Sequence, residues 1–438
     1  MNWKLNKLGF DFQGQFTTTL ALQIFNVLRF IATFFTGVVM VKIGWSTSEV
    51  EQYELLMLLF GMVSFFWVSG GQSALLSIIA SLDSKDQEAS LKRIMFVVCI
   101  LSFLAGIGVY IIGLYIFQLN KTLLFLLSLY TTFNIPSLFI HLKFLLKDNP
   151  KQILIFGLIN FGAQFLTVAI PLILGWNLHG IIKALIVLAV IRYVAFFLII
   201  GVDYKIKVGS LGKKWLLLSL PLAIHMLIGI SPEYVDALLI ESYINQPGSY
   251  AVYKYGAREL PVLVGLIGAI STVSIPLLVK KEFEGLQLLK TKVSSLANIL
   301  FPCSIVLIFI GDFLFEWFYD EAYLVSADIF KIFLLILITR FWIPHSIIIS
   351  RNNNYLLVWS GILELVVNVG ISFYLINDFG VIGIAIGTVV GNLIQKIFLI
   401  TVVWSKYQIQ PSAYMPVRLL GFWSILLILS FSVEQWMF

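Results

Sequence analysis

Long apolar runs, separated by short polar connections, recur along the whole chain. A helix of about 20 apolar residues crosses a bilayer core about 30 Å thick. By that rule the sequence predicts twelve transmembrane spans and a weaker thirteenth. The twelve cover roughly 17–43, 52–80, 92–118, 122–146, 151–174, 178–201, 213–243, 250–279, 290–315, 323–350, 355–376 and 380–404, and the thirteenth covers about 415–435. We therefore expect an all-α polytopic membrane protein whose consecutive helices are antiparallel neighbours.

The order of the spans also predicts the domain organisation. We expect an N-terminal six-helix lobe at 1–212, a C-terminal six-helix lobe at 213–404 and an extra C-terminal transmembrane helix at 405–438. A weak similarity between HGIIKALIVLAVIRY (179–193) and FGVIGIAIGTVVGNLIQK (379–396), which aligns Gly180 with Gly380, favours a parallel repeat. Such duplication of a six-helix unit is a common transporter plan, so the similarity gives modest support to two six-helix lobes.

The basic residues predict the orientation in the membrane. With a cytoplasmic N-terminus, the inside connections hold 19 Lys and Arg residues, and the outside connections hold only Lys42 and Lys121. Cytoplasmic loops are generally enriched in Lys and Arg. One missed or invented span before the end would destroy this asymmetry, so it supports the count of spans as well.

Composition narrows the classes of function. The chain is 60% hydrophobic and 12% charged, whereas soluble domains carry about 25% charged residues. The longest polar interruptions, 81–93 and 280–292, leave no room for a soluble catalytic or nucleotide-binding domain, and there is no nucleophile motif. Cys99 and Cys303 lie inside apolar segments and show no metal-ligand spacing. We expect no enzyme activity, no catalytic residue, no metal site, no cofactor and no nucleic-acid partner.

Span 1 carries a continuous polar stripe. Its members recur at three- and four-residue steps, which places them on one helix face; they are Thr19, Gln23, Asn26, Arg29, Thr33 and Thr36. Hydrogen bonding between helices would explain the smaller polar residues. An Arg in the middle of the stripe favours an aqueous cavity.

Glu49, Glu51 and Glu54 are assigned to the outer side, and the carboxylates counted within the spans all lie in the second half. They are Glu233, Asp236, Glu259, Asp312, Asp328 and Glu364, whereas the first six spans contain the basic residues Arg29, Lys183 and Arg192. A charge at the bilayer centre costs roughly 2.5–3.5 kcal/mol and usually marks an ion pair or a substrate path. Lys183, Lys331 and Lys396 lie nearer the span ends, where long side chains can reach the interface.

Two candidate pairs follow from the depth of these charges. Asp236, on the same face as Glu233, is predicted to lie level with Lys254 and Arg258 across a hairpin. Arg340 and Glu364 lie at matching depth, and Asn368 and Ser372 continue the Glu364 face. Either pair could lock two helices together, or it could couple transport to an ion. Both interpretations remain open from sequence.

Two segments carry a family resemblance: VDALLIESYINQPGSYAVYKYGARELPVL (235–263) and ISRNNNYLLVWSGILELVVNVGISFYLINDFGVIGIAIGTVV (349–390). They resemble the polysaccharide-transporter branch of the multidrug/oligosaccharidyl-lipid/polysaccharide (MOP) flippase superfamily, and within it the bacterial O-antigen and capsule-repeat flippases. The matching positions are Asp236, Gly248, Tyr250, Gly380, Gly383, Ala385 and Thr388. The resemblance covers about residues 15 to 404, and it implies two six-helix lobes around a central cavity.

The resemblance implies a function. Such a protein moves an undecaprenyl-pyrophosphate-linked oligosaccharide from the cytoplasmic to the outer leaflet of the bacterial cytoplasmic (inner) membrane by alternating access. Its partners would be this glycolipid, membrane lipid and the polysaccharide polymerase machinery. We expect Arg29, Arg192, Lys254 and Arg258 to contact the pyrophosphate, since guanidinium groups suit phosphate. Gln23, Asn26 and Tyr250 would contact sugar, and Glu233, Asp236, Arg340 and Glu364 would couple a proton or Na⁺ or act as gates.

Three alternatives are compatible with the same fold. A flippase for lipid II or a teichoic-type precursor would share the basic residues Arg29 and Arg258, although lipid II flippases usually have two further helices. A multidrug exporter of the superfamily would favour acids and aromatics for cationic drugs, whereas bases outnumber acids inside these spans. A structural scaffold would not explain so many charges within spans.

Overall fold

The computed structural model describes residues 18–79, 84–202, 210–244, 246–257, 261–351 and 353–437. Within these ranges the regular elements are α-helices, apart from one short 3₁₀ helix at Glu321–Tyr323. The helices are α1 (Thr18–Lys42), α2 (Thr47–Ile79), α3 (Ser84–Tyr115), α4 (Lys121–Ser137), α5 (Ile140–Leu146), α6 (Pro150–Ile173), α7 (Leu178–Ile199), α8 (Ser210–Tyr243), α9 (Ser249–Gly256), α10 (Pro261–Lys280), α11 (Glu282–Phe318), α12 (Leu324–Leu334), α13 (Ile336–Arg340), α14 (Pro344–Ser350), α15 (Tyr355–Phe379), α16 (Val381–Tyr407), α17 (Pro411–Tyr414) and α18 (Val417–Met437). The predicted all-α fold class is confirmed.

The predicted spans correspond closely to long helices. In the described ranges, eleven helical segments are long and apolar enough to cross a membrane, and α8 raises the number to twelve when its two parts count as one span. The weaker thirteenth span corresponds to α18, whose segment Val417–Trp436 is one of the eleven. The predicted span 250–279 is divided between α9 and α10.

Prolines mark where two predicted spans break. The span predicted at 122–146 consists of α4 and α5, and α4 ends one residue after Pro136. The span predicted at 323–350 consists of α12, α13 and α14, and α14 begins at Pro344. Because proline lacks the backbone N–H and clashes with the preceding turn, it ends or kinks a helix.

Two connections between long helices have the same construction. After α1, Gly44 adopts a φ of 92°, its N–H binds Val41 O, and the N–H of Trp45 binds Met40 O. After α6, Gly175 adopts a φ of 75°, and the N–H groups of Gly175 and Trp176 bind Leu172 O and Pro171 O, three and five residues earlier, in the same pattern. This is the Schellman ending, in which glycine accepts the left-handed conformation that other residues resist.

Polar side chains cap the helices that follow the short connections. Ser46 and Glu49 bond reciprocally at the start of α2, as a capping box. The side chains of Asn120, Asn149 and Asn177 accept from backbone N–H groups at the starts of α4, α6 and α7. Gly180 lies inside α7, whereas Gly380 separates α15 from α16 with a φ of 55°. The predicted alignment of Gly180 with Gly380 is therefore wrong at the level of the backbone, and Gly175 occupies the comparable turn.

The chain divides into two compact units, Met1–Leu227 and Ile228–Phe438. The division falls inside α8, whereas the lobe boundary predicted from sequence lies at 212/213. In unit 1, α1 packs on α6, and α4 packs between α3 and α7. Gly70 and Gly71 permit close packing of α2 on α8, where Trp215 donates to Gly71 O at 2.9 Å.

In unit 2 the tightest pair is α15 with α16. Gly383, Gly387 and Gly391 recur every four residues on α16 and face the α15 backbone. A Cβ on Gly387 would lie 2.9 Å from the backbone nitrogen of Ser372. Small residues at this spacing let two membrane helices approach closely. The helices α10, α11 and α18 form a second layer with a shared apolar core.

Candidate functional site

In unit 1, the face of α1 that carries the polar stripe is exposed. Gln23, Asn26, Arg29 and Thr33 are all exposed, whereas Thr36 is buried. The side chain of Thr19 lies outside what the structure describes. Placed around the helix at 3.6 residues per turn, this polar sector lies between a packed sector with Ala21 and Phe25 and an apolar exposed sector with Val27, Ile31 and Phe35. The apolar sector suits lipid, and the polar sector suits water.

The packed sector of α1 anchors Arg29 against two other helices. Phe25, one turn before Arg29, stacks on the ring of His141 in α5 with ring centroids 5.1 Å apart. Phe25 also meets Phe161 of α6 edge to face at 4.8 Å. The turn before Arg29 is therefore fixed by aromatic contacts, and Arg29 itself is exposed.

Arg192 occupies a different environment from Arg29. Its side chain is 7% exposed, and its two terminal nitrogens donate to Asn134 Oδ1 at 3.1 Å, to Gln164 Oε1 at 3.3 Å and to Asn160 O at 2.6 Å. These acceptors come from α4 and α6, so the guanidinium joins α7 to both. All three acceptors are neutral. Arg192 is therefore a buried cation whose hydrogen bonds link α7 to α4 and α6. The sequence alone did not distinguish this role from that of an exposed anion-binding group.

Unit 1 also holds a carboxylate that the sequence interpretation placed outside. Glu54 lies in the second turn of α2 and is 4% exposed. The prediction that the first six spans contain no carboxylate is therefore wrong, because Glu54 is buried within α2. Glu54 was misplaced because it closely follows Glu49 and Glu51 near a loop, and both of those acids are less buried.

The most elaborate polar site of unit 2 surrounds Asp236 of α8, which is 2% exposed. Its carboxylate accepts from Tyr253 OH at 2.6 Å, from Asn368 Nδ2 at 2.9 Å and from Thr388 Oγ1 at 2.8 Å. The donors come from α9, α15 and α16. Three hydrogen-bond donors match an ionised carboxylate, because that form is acceptor-only.

The described hydrogen-bond partners of Asp236 are all neutral and were not among the predicted residues. Lys254 lies over the ring of Tyr250 at 5.6 Å from the ring centroid, and its pairing with Asp236 stays a prediction. Arg258 and Glu259 lie outside the described residues, so the Asp236–Arg258 pairing stays a prediction. Glu233 is exposed, and Tyr250 is 1% exposed. Tyr250 therefore packs within the unit and presents no ring surface to a sugar in this conformation.

Glu364 is half-buried on α15 and accepts from Asn392 Nδ2 of α16 at 3.1 Å. The other end of the same amide, Asn392 Oδ1, accepts from Thr339 Oγ1 of α13 at 2.6 Å. Arg340 follows Thr339 directly and is half-buried. The predicted Arg340–Glu364 pair stays a prediction, and the structure adds Asn392 as a partner of Glu364.

A third cluster in unit 2 surrounds Lys331 of α12. Its ammonium group pairs with Asp312 of α11 at 2.7 Å, with Asp328 at 3.6 Å and with Glu434 of α18. Lys331 and Glu434 are both buried. The suggestion that Lys331 extends to the membrane interface is wrong, because its side chain is enclosed by the acids of two other helices. Glu434 was not counted among the acids within spans because it lies close to the end of the chain.

Solved structures with the same fold are transporters and flippases. The lipid II flippase MurJ in an inward closed conformation superposes with a TM-score of 0.70 and 17% identity, covering 95% of this chain and 93% of that one. An inward-facing multidrug resistance MATE family transporter of the MOP superfamily gives a TM-score of 0.64 and 14% identity, covering 88% and 95%. A MOP superfamily transporter from Pyrococcus furiosus, described as having a binding pocket of reversed polarity, gives 0.55 and 14%, covering 90% and 95%.

At sequence identities of 14–17%, the structural similarity shows only that the fold is shared. The chain has the fold of MOP-type flippases and transporters, and the proteins that share it are transporters rather than enzymes. No protein-family model matches the sequence, and no curated protein matches it. Membership of the polysaccharide branch therefore stays a prediction.

Proposed function

We propose that this protein is a flippase that carries an undecaprenyl-pyrophosphate-linked oligosaccharide, such as an O-antigen or other surface-polysaccharide repeat unit, from the cytoplasmic to the outer leaflet by alternating access. The observation that carries the proposal is the exposed polar sector of α1, with Arg29 at its centre. A diphosphate-linked glycan headgroup is anionic and polar, so it needs a wet, cationic surface in order to leave the interface.

The chemistry of α1 selects for an anion. The helix contains no Asp or Glu, so Arg29 is not neutralised from its own helix. A guanidinium group can donate two parallel hydrogen bonds to a phosphate. Asn26 and Gln23 lie about one and two turns from Arg29 on the same exposed sector. Their amides can donate to and accept from sugar hydroxyls.

The direction of transport follows from the charge of the headgroup. An inside-negative membrane potential favours outward movement of an anion by about 2.3 kcal/mol per charge per 100 mV. The Asp236 site of unit 2 supports additional coupling to a monovalent cation, because a buried carboxylate held by neutral donors still lacks a compensating charge among them. We assign this coupling role to Asp236, with Na⁺ or a proton as the ion.

The roles predicted for the other site residues are supported by the structure to different degrees. The environment of Arg192 favours a structural role over contact with substrate. Lys254 and Arg258 remain proposed contacts for the diphosphate, and Glu233 remains a proposed gating group. The polymerase machinery remains the proposed partner on the outer side.

Two related substrates compete with the proposed one. Lipid II and teichoic-type precursors carry the same class of anionic headgroup, and the likeness to the lipid II flippase MurJ favours considering them. A cationic drug is disfavoured by Arg29, because the charges would repel each other.

Reconstituted vesicles test the proposal. The purified protein is placed in vesicles with a fluorescent undecaprenyl-diphosphate oligosaccharide, and the fraction moved between leaflets is followed with a membrane-impermeant quencher. Arg29→Ala should slow flipping by roughly 10- to 100-fold, the value of one charge-assisted hydrogen bond. Arg29→Lys should retain part of the rate, and Lys121→Ala, which removes an exposed base at the start of α4, should match the wild type. Wild-type rates in Arg29→Ala would refute the assignment of α1.

A further inference from the structure

The paired helices α15 and α16 carry a group of basic and aromatic side chains at one end. Tyr355 begins α15, and Lys406 and Tyr407 lie in the last turn of α16. Lys406 Nζ donates to Tyr355 OH at 2.7 Å, and it lies 5.3 Å from the centroid of the Tyr355 ring and 5.8 Å from that of the Tyr407 ring. Two aromatic rings therefore hold one ammonium group in place.

Arg351 and Asn353, which lie between α14 and α15, complete this group. The guanidinium of Arg351 lies 5.9 Å from the centroid of the Tyr407 ring and pairs with Glu282 at the start of α11. Asn353 Nδ2 donates to Tyr407 OH at 2.5 Å. An acid thus balances the charge of Arg351, whereas the interactions of Lys406 among the described residues are with tyrosines. The group keeps one positive charge.

The hydroxyl protons of the two tyrosines are left for a further acceptor. A phenol oxygen carries one proton to donate and can also accept. Tyr355 OH accepts from Lys406, and Tyr407 OH accepts from Asn353, so neither hydroxyl uses its own proton in these bonds. Tyr355 and Lys406 are exposed, and Tyr407 is half-buried. An anion at this end of the helix pair can therefore receive hydrogen bonds from one ammonium group and two hydroxyl groups.

An exposed apolar stripe runs along α15 from Tyr355. Its members share the helix face of Tyr355, because they follow at steps of three, four and seven residues; they are Trp359, Ile362, Val366 and Phe373. An exposed apolar surface of this kind marks contact with the membrane, and Trp and Tyr concentrate where the membrane meets water. The stripe therefore places Tyr355 and Lys406 at the height of the lipid headgroups.

We propose that Lys406, Tyr355 and Tyr407 bind the phosphate of an anionic phospholipid, whose acyl chains lie along the exposed stripe of α15. One remaining positive charge matches the single negative charge of a phosphodiester. The stripe favours a lipid over free phosphate, because only a lipid has chains to cover it.

The predicted orientation suits such a ligand. It puts this end of α15 and α16 on the cytoplasmic side, where basic groups attract anionic lipids. The inference goes beyond the proposed function and does not depend on the substrate proposed for α1.

Native mass spectrometry of the full chain in a neutral detergent measures the binding. The protein is titrated with phosphatidylglycerol or with phosphatidylcholine, which adds a positive choline group to the same phosphate. The wild type should bind one phosphatidylglycerol about fivefold more tightly than phosphatidylcholine, the value of one surface charge. Lys406→Gln should abolish this preference. Tyr355→Phe keeps the ring and should weaken phosphatidylglycerol binding by roughly three- to tenfold.

Lys280→Gln is the matched control. Lys280 is exposed at the C-terminal end of α10, on the same predicted side of the membrane, so the substitution removes the same charge at a different place. It should keep the preference of the wild type. Thermal midpoints without lipid should be similar for all variants, and phosphatidylglycerol should raise the midpoint of the wild type, because a ligand of the folded state stabilises it.

Four results would overturn the inference. A preference that survives in Lys406→Gln would exclude Lys406 from the site. Equal losses in Lys280→Gln and Lys406→Gln would show a general attraction between basic surface and anionic lipid. Displacement of phosphatidylglycerol by an equal concentration of inorganic phosphate would identify free phosphate as the ligand. A wild type without any preference would remove the site, and it would leave the proposed flipping of the diphosphate-linked lipid untouched.

Discussion

Asn368 donates a hydrogen bond of 2.9 Å to Asp236 across 132 positions of sequence. Both side chains are buried. A second hydrogen bond fixes the orientation of the Asn368 amide group, because Asn368 Oδ1 accepts from Ser372 Oγ at 2.8 Å. The Nδ2 group must therefore point at the carboxylate, and α15 is joined to α8 by one oriented contact.

Asn368→Ala should destabilise the protein by about 1–3 kcal/mol, the cost of leaving buried groups without their hydrogen-bond partner. It should also weaken ion binding at Asp236. The thermal midpoint in detergent and ²²Na⁺ binding measure the two effects. Ser360→Ala is the matched control on α15, since buried Ser360 bonds only to Leu357 O of its own helix, and it should change neither. An unaltered midpoint and affinity in Asn368→Ala would contradict the assigned geometry.

Gly387→Ala should disturb the same site through the backbone. The added Cβ would lie 2.9 Å from Ser372 N and 3.0 Å from Asn368 O, closer than side chains tolerate. We expect a loss of about 1–3 kcal/mol from overpacking. Gly370→Ala on α15 is the control, because nothing lies within 4 Å of its Cβ position, and it should be neutral or stabilising. Equal thermal midpoints for the two variants would show that α15 and α16 do not pack as described.

Much of the fold could be predicted from sequence, whereas the site could be predicted only in part. Apolar length located the helices, and Pro136 and Pro344 signalled the breaks. The stripe of Glu364, Asn368 and Ser372 was visible as a helix face. The residues that contact this face could not be predicted from sequence. The contacts of Asn368 with α8 and of Asn392 with α13 join segments far apart in the chain.

Misjudged burial accounts for other differences. Glu54 and Glu434 were not counted among the carboxylates within the spans because each lies near the end of a predicted span, yet both are buried. Arg192 and Arg29 looked equivalent as bases within spans. Only the three-dimensional contacts show that Arg192 is enclosed by amides while Arg29 is exposed. The turns after α1 and α6 share a local sequence signal, Gly-Trp followed by Ser or Asn. This signal could have predicted the ends of both helices.

Lys331 and Glu434 should form the contact that holds α18 in place. Lys331→Met would leave Glu434 buried without its cation, and breaking a buried pair from one side costs about 3–5 kcal/mol. The double variant Lys331→Met with Glu434→Met should recover part of that loss, because Glu434 then no longer leaves a buried charge without a partner. The free energy of unfolding, or the thermal midpoint, measures both. Glu284→Gln breaks the exposed pair with Lys281 and should cost about 1 kcal/mol or less.

The course of α18 also predicts the side of the C-terminus. Along α11, Lys290 donates to Ser412 O at 2.8 Å, Asn298 accepts from Trp423 Nε1 at 2.9 Å, and Asp312 shares Lys331 with Glu434. α18 therefore runs parallel to α11 along most of its length. With an inside N-terminus, the C-terminus should lie outside, and a reporter active only outside the cytoplasm should be active when fused after Phe438. An active cytoplasmic reporter at that point would contradict this course.

Arg192 and Arg29 should respond oppositely to substitution. Arg192→Met should lower the thermal midpoint, because Asn134, Gln164 and Asn160 lose their shared donor inside the unit. Arg192→Lys should rescue little, since one ammonium cannot reproduce the planar fork. Arg29→Ala should leave the midpoint near the wild type and reduce flipping. A stable Arg192→Met protein with selectively reduced substrate affinity would instead restore Arg192 as a substrate contact.

The most direct test compares three substrates in one reconstituted preparation. Vesicles containing the wild-type protein receive an undecaprenyl-diphosphate oligosaccharide, a neutral lipid bearing the same sugars, or a cationic drug, and movement across the bilayer is measured for each with Arg29→Ala in parallel. Our account predicts rapid flipping of the diphosphate-linked oligosaccharide alone, and its loss by roughly 10- to 100-fold in Arg29→Ala. Transport of the cationic drug with no flipping of the diphosphate-linked lipid would contradict it.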